Sequence, residues 1–270
     1  MNDALRKRVV TAVVLAVGLL AVVLLMPPVA TTVVVTAAVL VGAWEWSAFL
    51  RASHVALRVG YVAVVAVLLL LVWQFTKIES GLDIVLAAAV VWWVIALCWV
   101  ALAPRRVAPW SASIAGILAL VPAWLALVRL RSDFDRGAEW LLFAFVLVWV
   151  ADIGAFFVGR RFGRLRLAPN VSPGKTWEGV LGGAALGTIV ALLGASRFGI
   201  PAELFVPLCL AVVGFSVVGD LTESLFKRFA GLKDSGTLFP GHGGVMDRID
   251  SVTGAAPVLL FGLIALGVEG

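Results

Sequence analysis

Charged and polar residues are concentrated in one segment of the chain, residues 220–250. Within it Asp220, Glu223, Ser224 and Lys227 recur at the three- and four-residue spacing of an α-helix, so they share one face. The other face is apolar and carries Val218, Leu221, Leu225 and Phe229. This pattern predicts an amphipathic helix that continues beyond an apolar span, with its polar stripe facing a cavity.

Two further acids, Asp247 and Asp250, lie three residues apart at the start of the last apolar stretch, so both carboxylates can face the same cavity. Acids at a membrane rim are unfavourable unless they are paired or bind a cation. Together with Asp220 they form an oxygen-rich set that suits Mg²⁺, with substrate phosphates completing the coordination shell. The alternative is a group of Asp–Arg and Asp–Lys ion pairs. We predict Asp220, Asp247 and Asp250 as metal ligands.

A glycine-rich stretch lies between these acids. Gly241, Gly243 and Gly244 surround His242 and give a backbone that can come close to a ligand and direct its amides at phosphate oxygens. Four cations close in sequence favour an anion site over an ordinary loop: Lys227, Arg228, Lys233 and Arg248. His242 is the only histidine of the region, which excludes a histidine-rich metal site and predicts a role in positioning a phosphate or a base.

A second polar segment precedes the seventh apolar stretch. Its Gly-Lys-Thr tripeptide, residues 174–176, resembles the end of a P-loop, but Pro169 stands where that motif needs glycine. A P-loop NTPase is therefore rejected. Lys175 is still predicted to contact a phosphate, while Ser172 and Glu178 are candidates to cap the next helix.

Two acids lie within apolar stretches. Asp152, near one end of the sixth stretch, is costly to bury alone and is predicted to meet a cation or a ligand. Glu45 lies between Trp44 and Trp46 close to its own membrane rim, where snorkelling or a structural pair is the favoured account.

The elements that position these residues must form in lipid. Of the 270 residues 62% are hydrophobic and 14% are charged, with a mean hydropathy of +1.09. Backbone polar groups in lipid must be satisfied internally, and the apolar stretches lack the alternation of a barrel, so the predicted fold class is an all-α polytopic helical bundle. About nine spans of ~20 residues are predicted, at residues 9–26, 29–50, 57–75, 82–103, 110–128, 138–158, 179–196, 204–219 and 252–268.

The distribution of positive charge predicts a cytoplasmic N-terminus. On this topology 16 of the 21 Lys and Arg residues face the cytoplasm, and the other five face the opposite side: Lys77, Arg129, Arg131, Arg136 and Arg197. Segments 159–178 and 220–251 then both face the cytoplasm, where soluble nucleotides and metal ions are available. We predict an N-terminal group of about five membrane helices in residues 1–135 and a C-terminal catalytic group in residues 136–270.

The seventh span carries a small residue at every fourth position: Gly179, Gly183, Gly187, Ala191 and Ala195. Such a stripe permits close backbone contact between helices in lipid. Packing inside one subunit is the favoured role, and an interface between the subunits of a homodimer is the alternative.

The polar segment resembles the signature of the phosphatidate cytidylyltransferase (CDP-diacylglycerol synthase) family. Every fixed position of that signature matches over 27 residues: Ser224, Lys227-Arg228, Lys233-Asp234, Gly236, Phe239-Pro240, His242-Gly243-Gly244, Asp247-Arg248 and Asp250. The stretches that begin at Asp152 and Ser172 also resemble the family's pattern, in which a second basic residue is more usual at Gly174. The resemblance extends over residues 140–270, and the earlier spans match in hydropathy only.

This resemblance implies a nucleotidyltransferase of phospholipid biosynthesis that makes CDP-diacylglycerol and pyrophosphate from CTP and phosphatidic acid. It implies a bacterial inner-membrane protein whose active site faces the cytoplasm, with Mg²⁺ and a monovalent cation, K⁺, as cofactors and no nucleic-acid partner. Catalytic roles are expected for Asp220, Lys227, Asp247 and Arg248, with Mg²⁺ on Asp220 and Asp247 and with Asp250 as a further ligand or an orienting partner. Substrate contacts are expected from Ser172, Lys175, Ser224, Arg228, Lys233, Asp234, His242, Gly243 and Gly244.

Two other classes of function remain open at this point. Charged residues near helix ends also mark permeation paths, so an organic-anion transporter is an alternative from outside the enzymes. Within the enzymes, a CTP-dependent lipid kinase or a synthase acting on an ether-linked isoprenoid phosphate is the alternative.

Overall fold

The computed structural model describes residues 3–50, 54–104, 107–239 and 243–268, and this part of the chain is almost entirely helical. Its nine helices are α1 (Asp3–Leu25), α2 (Pro28–Trp46), α3 (Val55–Phe75), α4 (Gly81–Leu102), α5 (Pro109–Ser132), α6 (Gly137–Phe162), α7 (Trp177–Phe198), α8 (Ala202–Ala230) and α9 (Met246–Ala265). One turn of 3₁₀ helix, Ser47–Leu50, extends α2. Each predicted apolar span overlaps one helix, so the predicted helical bundle is confirmed.

Eight of these helices, α2 to α9, are long and apolar enough to cross a membrane. In the described part of α1 the apolar stretch is Ala16–Leu25, which is shorter than the ~20 residues that a crossing requires. The protein is therefore an integral membrane bundle. The ninth crossing and the cytoplasmic N-terminus stay predictions.

A short β-hairpin between α6 and α7 departs from the all-α prediction. Its strands, β1 (Arg166–Ala168) and β2 (Ser172–Thr176), pair antiparallel. They have three and five residues, which is too short for hydrophobic periodicity to show in the sequence. Ala168 and Val171, at the turn end of the hairpin, pack against Leu221 and Leu225 of α8 and Val100 of α4. This packing holds the hairpin beside the polar face of α8.

Thr176 caps α7, so the predicted capping by Ser172 is wrong, whereas Glu178, in the first turn of α7, has its carboxylate hydrogen-bonded to the backbone N–H of its own residue. The Thr176 hydroxyl accepts a hydrogen bond from the backbone N–H of Gly179 at 3.1 Å. Ser172 lies at the other end of the strand β2. The Glu178 carboxylate accepts the backbone N–H of Leu165, at 3.2 Å to one oxygen and 3.3 Å to the other. Glu178 thus joins the start of α7 to the start of the hairpin.

Close contacts between the helices of residues 136–270 depend on glycine, because association in lipid relies on direct backbone packing. A Cβ at Gly154 of α6 would lie 2.7 Å from the carbonyl oxygen of Gly182 in α7, and one at Gly183 would lie 2.9 Å from that of Ala151. The five small residues of the predicted α7 stripe are all buried within the chain. Packing inside one subunit is confirmed, and this stripe offers no free surface for a homodimer.

The two predicted polar segments lie at the same end of the bundle, where Lys175 Nζ is 2.7 Å from Asp220 Oδ2. The opposite end is joined by arginine contacts, from Arg131 to Met26, Arg129 to Thr76 and Arg136 to Arg197. The position of these three arginines at the end opposite the site agrees with the predicted topology. Assignment of the site to the cytoplasmic side rests on the charge count.

The contact between α8 and α9 provides a test of the packing. A Cβ at Gly254 would collide with the backbone carbonyl oxygen of Phe215, whereas one at Gly214 of α8 meets nothing within 4 Å. We expect Gly254→Ala to lower stability by ~1–3 kcal/mol, and the matched Gly214→Ala to leave it unchanged or raise it by ~0.5–1 kcal/mol through helix propensity. Thermal unfolding in detergent measures both, and equal midpoints would contradict this packing.

Candidate active site

Lys227 joins the polar face of α8 to the first turn of α9. Its Nζ lies 2.5 Å from Glu223 Oε2, one helical turn earlier, and 2.7 Å from Asp247 Oδ1. Glu223 and Lys227 are buried, with 1% and 9% of their surface exposed. Removal of any one of these three charged groups should strongly destabilise the fold, because a remaining buried charge would then lie in a low dielectric without a partner.

Asp247 uses both carboxylate oxygens within the protein. Oδ1 accepts from Lys227, and Oδ2 accepts the backbone N–H and the hydroxyl of Ser235, at 2.9 and 2.8 Å, and the backbone N–H of Gly244 at 2.7 Å. Asp247 therefore fastens the connection between α8 and α9 to the start of α9; this connection is described at residues 231–239 and 243–245 and is called the loop 231–245 below. An acid in the first turn of a helix is also favoured by the helix dipole.

The hairpin places Lys175 over the other end of the polar face. Lys175 Nζ is 2.7 Å from Asp220 Oδ2, and the Ser224 hydroxyl donates to Asp220 Oδ1 at 3.3 Å. About a quarter of each charged side chain remains exposed, 25% for Lys175 and 28% for Asp220. Unlike Lys227, this pair is open to a soluble ligand.

Acids from three helices meet between these two pairs. Asp152 of α6 interacts electrostatically with Asp220 of α8 and is countered by Lys175 and Arg248. Asp250 of α9 lies close enough to Asp220 and to Glu223 for the charges to repel. Negative charge is therefore concentrated where α6, α8 and α9 converge, which favours a bound cation.

The donor set fits Mg²⁺ in its chemistry, since it consists of hard carboxylate oxygens. Among the described residues no three acidic, histidine or cysteine side chains stand ready as a complete metal site, so substrate oxygens would have to complete the shell. Of the predicted ligands, Asp250 and Asp220 interact electrostatically. A direct role for Asp247 stays a prediction, and it would require rearrangement of the Lys227 contact.

The remaining predicted residues lie around this centre. Arg248 is exposed and interacts electrostatically with Asp152. Arg228, Lys233 and Asp234 are exposed as well, and Arg228 donates to the carbonyl oxygen of Leu232 at 3.4 Å. Ser172 pairs with Ala168 in the hairpin. His242 lies outside the described residues. Substrate-binding roles for all of these stay predictions.

Gly243 and Gly244 have a structural reason to be glycine. Gly243 has a left-handed backbone, φ +76°, and a Cβ there would collide with Asp247 Oδ2. A Cβ at Gly244 would collide with the carboxylate of Glu45. Both glycines thus serve the packing of two acids, and contact with phosphates stays a prediction for them.

Glu45 and Ser235 are site residues that the sequence did not reveal as such. Glu45 accepts the backbone N–H groups of Val245 at 3.0 Å and Met246 at 2.7 Å, and the Ser235 hydroxyl at 3.1 Å. The predicted snorkelling of Glu45 is wrong, because the side chain is buried, and among the described residues its partners are two backbone amides and a hydroxyl rather than an ion-pair partner. The available signal was that α9 starts without a Ser, Thr, Asn or Asp side chain to cap it.

Known proteins resemble the chain over nearly its whole length. It is 42% identical to a phosphatidate cytidylyltransferase of Pseudomonas aeruginosa, over 97% of this chain and 98% of that protein. It is 38% identical to a phosphatidate cytidylyltransferase of Haemophilus influenzae, over 94% and 96%. The model of the cytidylyltransferase family matches residues 6–265. The chain, with its acids and lysines gathered at one end of a membrane bundle, belongs to the cytidylyltransferase family.

Proposed function

We propose that the protein transfers the cytidylyl group of CTP to phosphatidic acid, which gives CDP-diacylglycerol and pyrophosphate. The two relatives that cover almost the whole chain carry the name of this activity. The observation that carries the proposal is the meeting of Lys175, Lys227 and Arg248 with acids of three helices at one end of the bundle. The cations there suit phosphates, and the acids suit a divalent metal ion, which would neutralise phosphate charge.

The reaction needs no nucleophile from the protein. A phosphate oxygen of phosphatidic acid attacks the α-phosphorus of CTP, a P–O bond forms, and the bond to the β-phosphate oxygen breaks with release of pyrophosphate. Both substrates are anions, so the chain must hold them in line against their repulsion and stabilise charge on the leaving pyrophosphate. We propose that Lys175 and Arg248 bind phosphate oxygens and that Lys227 keeps the carboxylates of Glu223 and Asp247 in position.

Mg²⁺ is proposed as the cofactor, held by Asp220 and Asp250, with Asp247 as the third predicted ligand. The ion neutralises charge on the phosphates when it is bound. A monovalent cation, K⁺, is proposed beside it on the family resemblance alone.

The position of the site suits substrates from two phases. Lys175 and Asp220 lie at the end of the bundle, where CTP can arrive from water, while the acyl chains of the lipid stay among apolar helices. We propose the bacterial inner membrane as the location, because the similar proteins come from bacteria.

Pyrophosphate release tests the function directly. The purified protein in mixed micelles should release one pyrophosphate per CDP-diacylglycerol formed, with CTP, Mg²⁺ and phosphatidic acid all required. Substitution of an isoprenoid phosphate or of diacylglycerol for phosphatidic acid separates the related enzymes. Turnover only with one of these lipids, or anion flux in sealed vesicles without CTP, would refute the proposal.

Lys175→Met tests the proposed phosphate contact. Its ion pair with Asp220 is partly exposed and contributes little to the buried packing, so the variant should fold. Loss of a charged hydrogen bond to phosphate, ~1.5–3 kcal/mol, should raise the KM for CTP about tenfold or more. Lys77→Met removes an exposed lysine at the opposite end and is the matched control. Equal KM values for the two variants would remove Lys175 from the site.

Asp220→Asn tests the proposed metal role. The variant should require a higher Mg²⁺ concentration for half-maximal turnover, because one charged oxygen ligand becomes a neutral amide. Asp133→Asn, which removes an acid paired with Arg129 at the other end, should leave the Mg²⁺ titration unchanged. An unchanged titration for Asp220→Asn would exclude it as a ligand.

A further inference from the structure

We infer that Glu45 is a positioning residue of the active site. It lies in α2, far in sequence from the site residues, and it fixes both the start of α9 and the loop 231–245 that hold Asp247 against Lys227. This inference deepens the proposed function and rests on it for its kinetic test.

The contacts of Glu45 are those of a helix cap supplied by another helix. Its carboxylate is buried, with 5% of the residue exposed, and accepts the N–H groups of Val245 and Met246 at the first turn of α9. Val245 itself provides no capping side chain. The unsatisfied N–H groups of a helix start favour an anion, so Glu45 provides what the local sequence of α9 lacks.

Ser235 connects Glu45 to the ion pair of the site. Its hydroxyl lies 3.1 Å from Glu45 Oε2 and 2.8 Å from Asp247 Oδ2, so one hydroxyl hydrogen lies between two carboxylates. Its backbone N–H also donates to Asp247 at 2.9 Å. Ser235 holds Oδ2 of Asp247, and the other oxygen, Oδ1, is paired with Lys227. Displacement of Glu45 therefore changes the group that orients the Asp247 carboxylate toward Lys227.

Two glycines of the loop pack directly on the Glu45 carboxylate. A Cβ at Gly236 or at Gly244 would collide with its oxygens. The loop is thus shaped around Glu45 on two sides, and the backbone N–H of Gly244 donates to Asp247 from this position.

The end of α2 that carries Glu45 is itself fixed. Trp46 Nε1 donates to the carbonyl oxygen of Ala112 in α5 at 2.7 Å, and the Trp46 ring packs on Phe226 of α8. Arg58 donates to the carbonyl oxygen of Trp44 at 2.8 Å. Glu45 therefore transmits the position of a rigid helix end to the catalytic loop.

Glu45→Gln tests the inference with little change in size. Glutamine keeps one acceptor oxygen and replaces the other with an NH₂ group that donates, so one of the two backbone N–H groups at the start of α9 loses its acceptor while the volume stays. We expect kcat to fall about 10- to 100-fold, with a smaller change in the KM for CTP. Thr36→Val is the matched control, since it removes a partly buried hydrogen bond of the same helix, from Trp124 Nε1 at 2.8 Å, away from the site. It should change kcat less than twofold at comparable thermal stability.

Coupling to Ser235 separates positioning from general destabilisation. If Glu45 acts on Asp247 through Ser235, the combined loss of kcat in Glu45→Gln with Ser235→Ala should be smaller than the product of the single losses. Strictly multiplicative losses, or an equal loss of kcat in Thr36→Val, would overturn the inference.

Limited trypsin cleavage gives a readout that does not depend on the reaction. Glu45→Gln should be cleaved faster at Lys233, in the loop, and at an unchanged rate at Lys77, at the opposite end; both lysines are exposed. Equal acceleration at both sites would indicate global destabilisation and refute the positioning role. If the unmodified protein releases no pyrophosphate from CTP and phosphatidic acid, the proposed function fails, and this cleavage ratio still decides the role of Glu45.

Discussion

The structure depends on one constraint, the burial of charge at the end of an apolar helical bundle. Lys227 lies between Glu223 and Asp247, and the effective cost of desolvating such groups is several kcal/mol per ion unless each is paired and hydrogen-bonded. The α8–α9 contact, the loop 231–245 and the end of α2 all contribute to that pairing. The catalytic geometry and the stability of this end of the bundle are therefore maintained by the same contacts.

Two kinds of support position the charged groups. Glu223, Lys227 and Asp247 lie on long helices that glycine contacts bring close together. Glu223 and Lys227 are buried, and Asp247 is half-buried. Lys175 comes from a two-stranded hairpin and is partly exposed. A set of charges on packed helices beside the partly exposed Lys175 suits a reaction in which one substrate is soluble and the other stays in the bilayer.

Much of this could be predicted from the sequence, because lipid imposes strong rules. Apolar length located the helices, and the spacing of Asp220, Glu223 and Lys227 predicted their shared face. The hairpin could not be predicted, since its strands are short and polar, and its register depends on packing against Leu221 and Leu225. The partners of Glu45 could not be predicted either, because they are two backbone N–H groups and the Ser235 hydroxyl, 190 to 201 residues away, and backbone groups leave no pattern in side-chain types.

That separation has a consequence for how the protein is made. Glu45 leaves the ribosome long before Val245 and Met246, and at about 5–20 residues per second the delay is roughly 10–40 s. During this time the final partners of the Glu45 carboxylate have not been synthesised. Synthesis of α9 supplies those partners together with Asp247 of the candidate site. A chain that stops short of α9 retains an unpaired acid at the membrane rim, which distinguishes it physically from the finished protein.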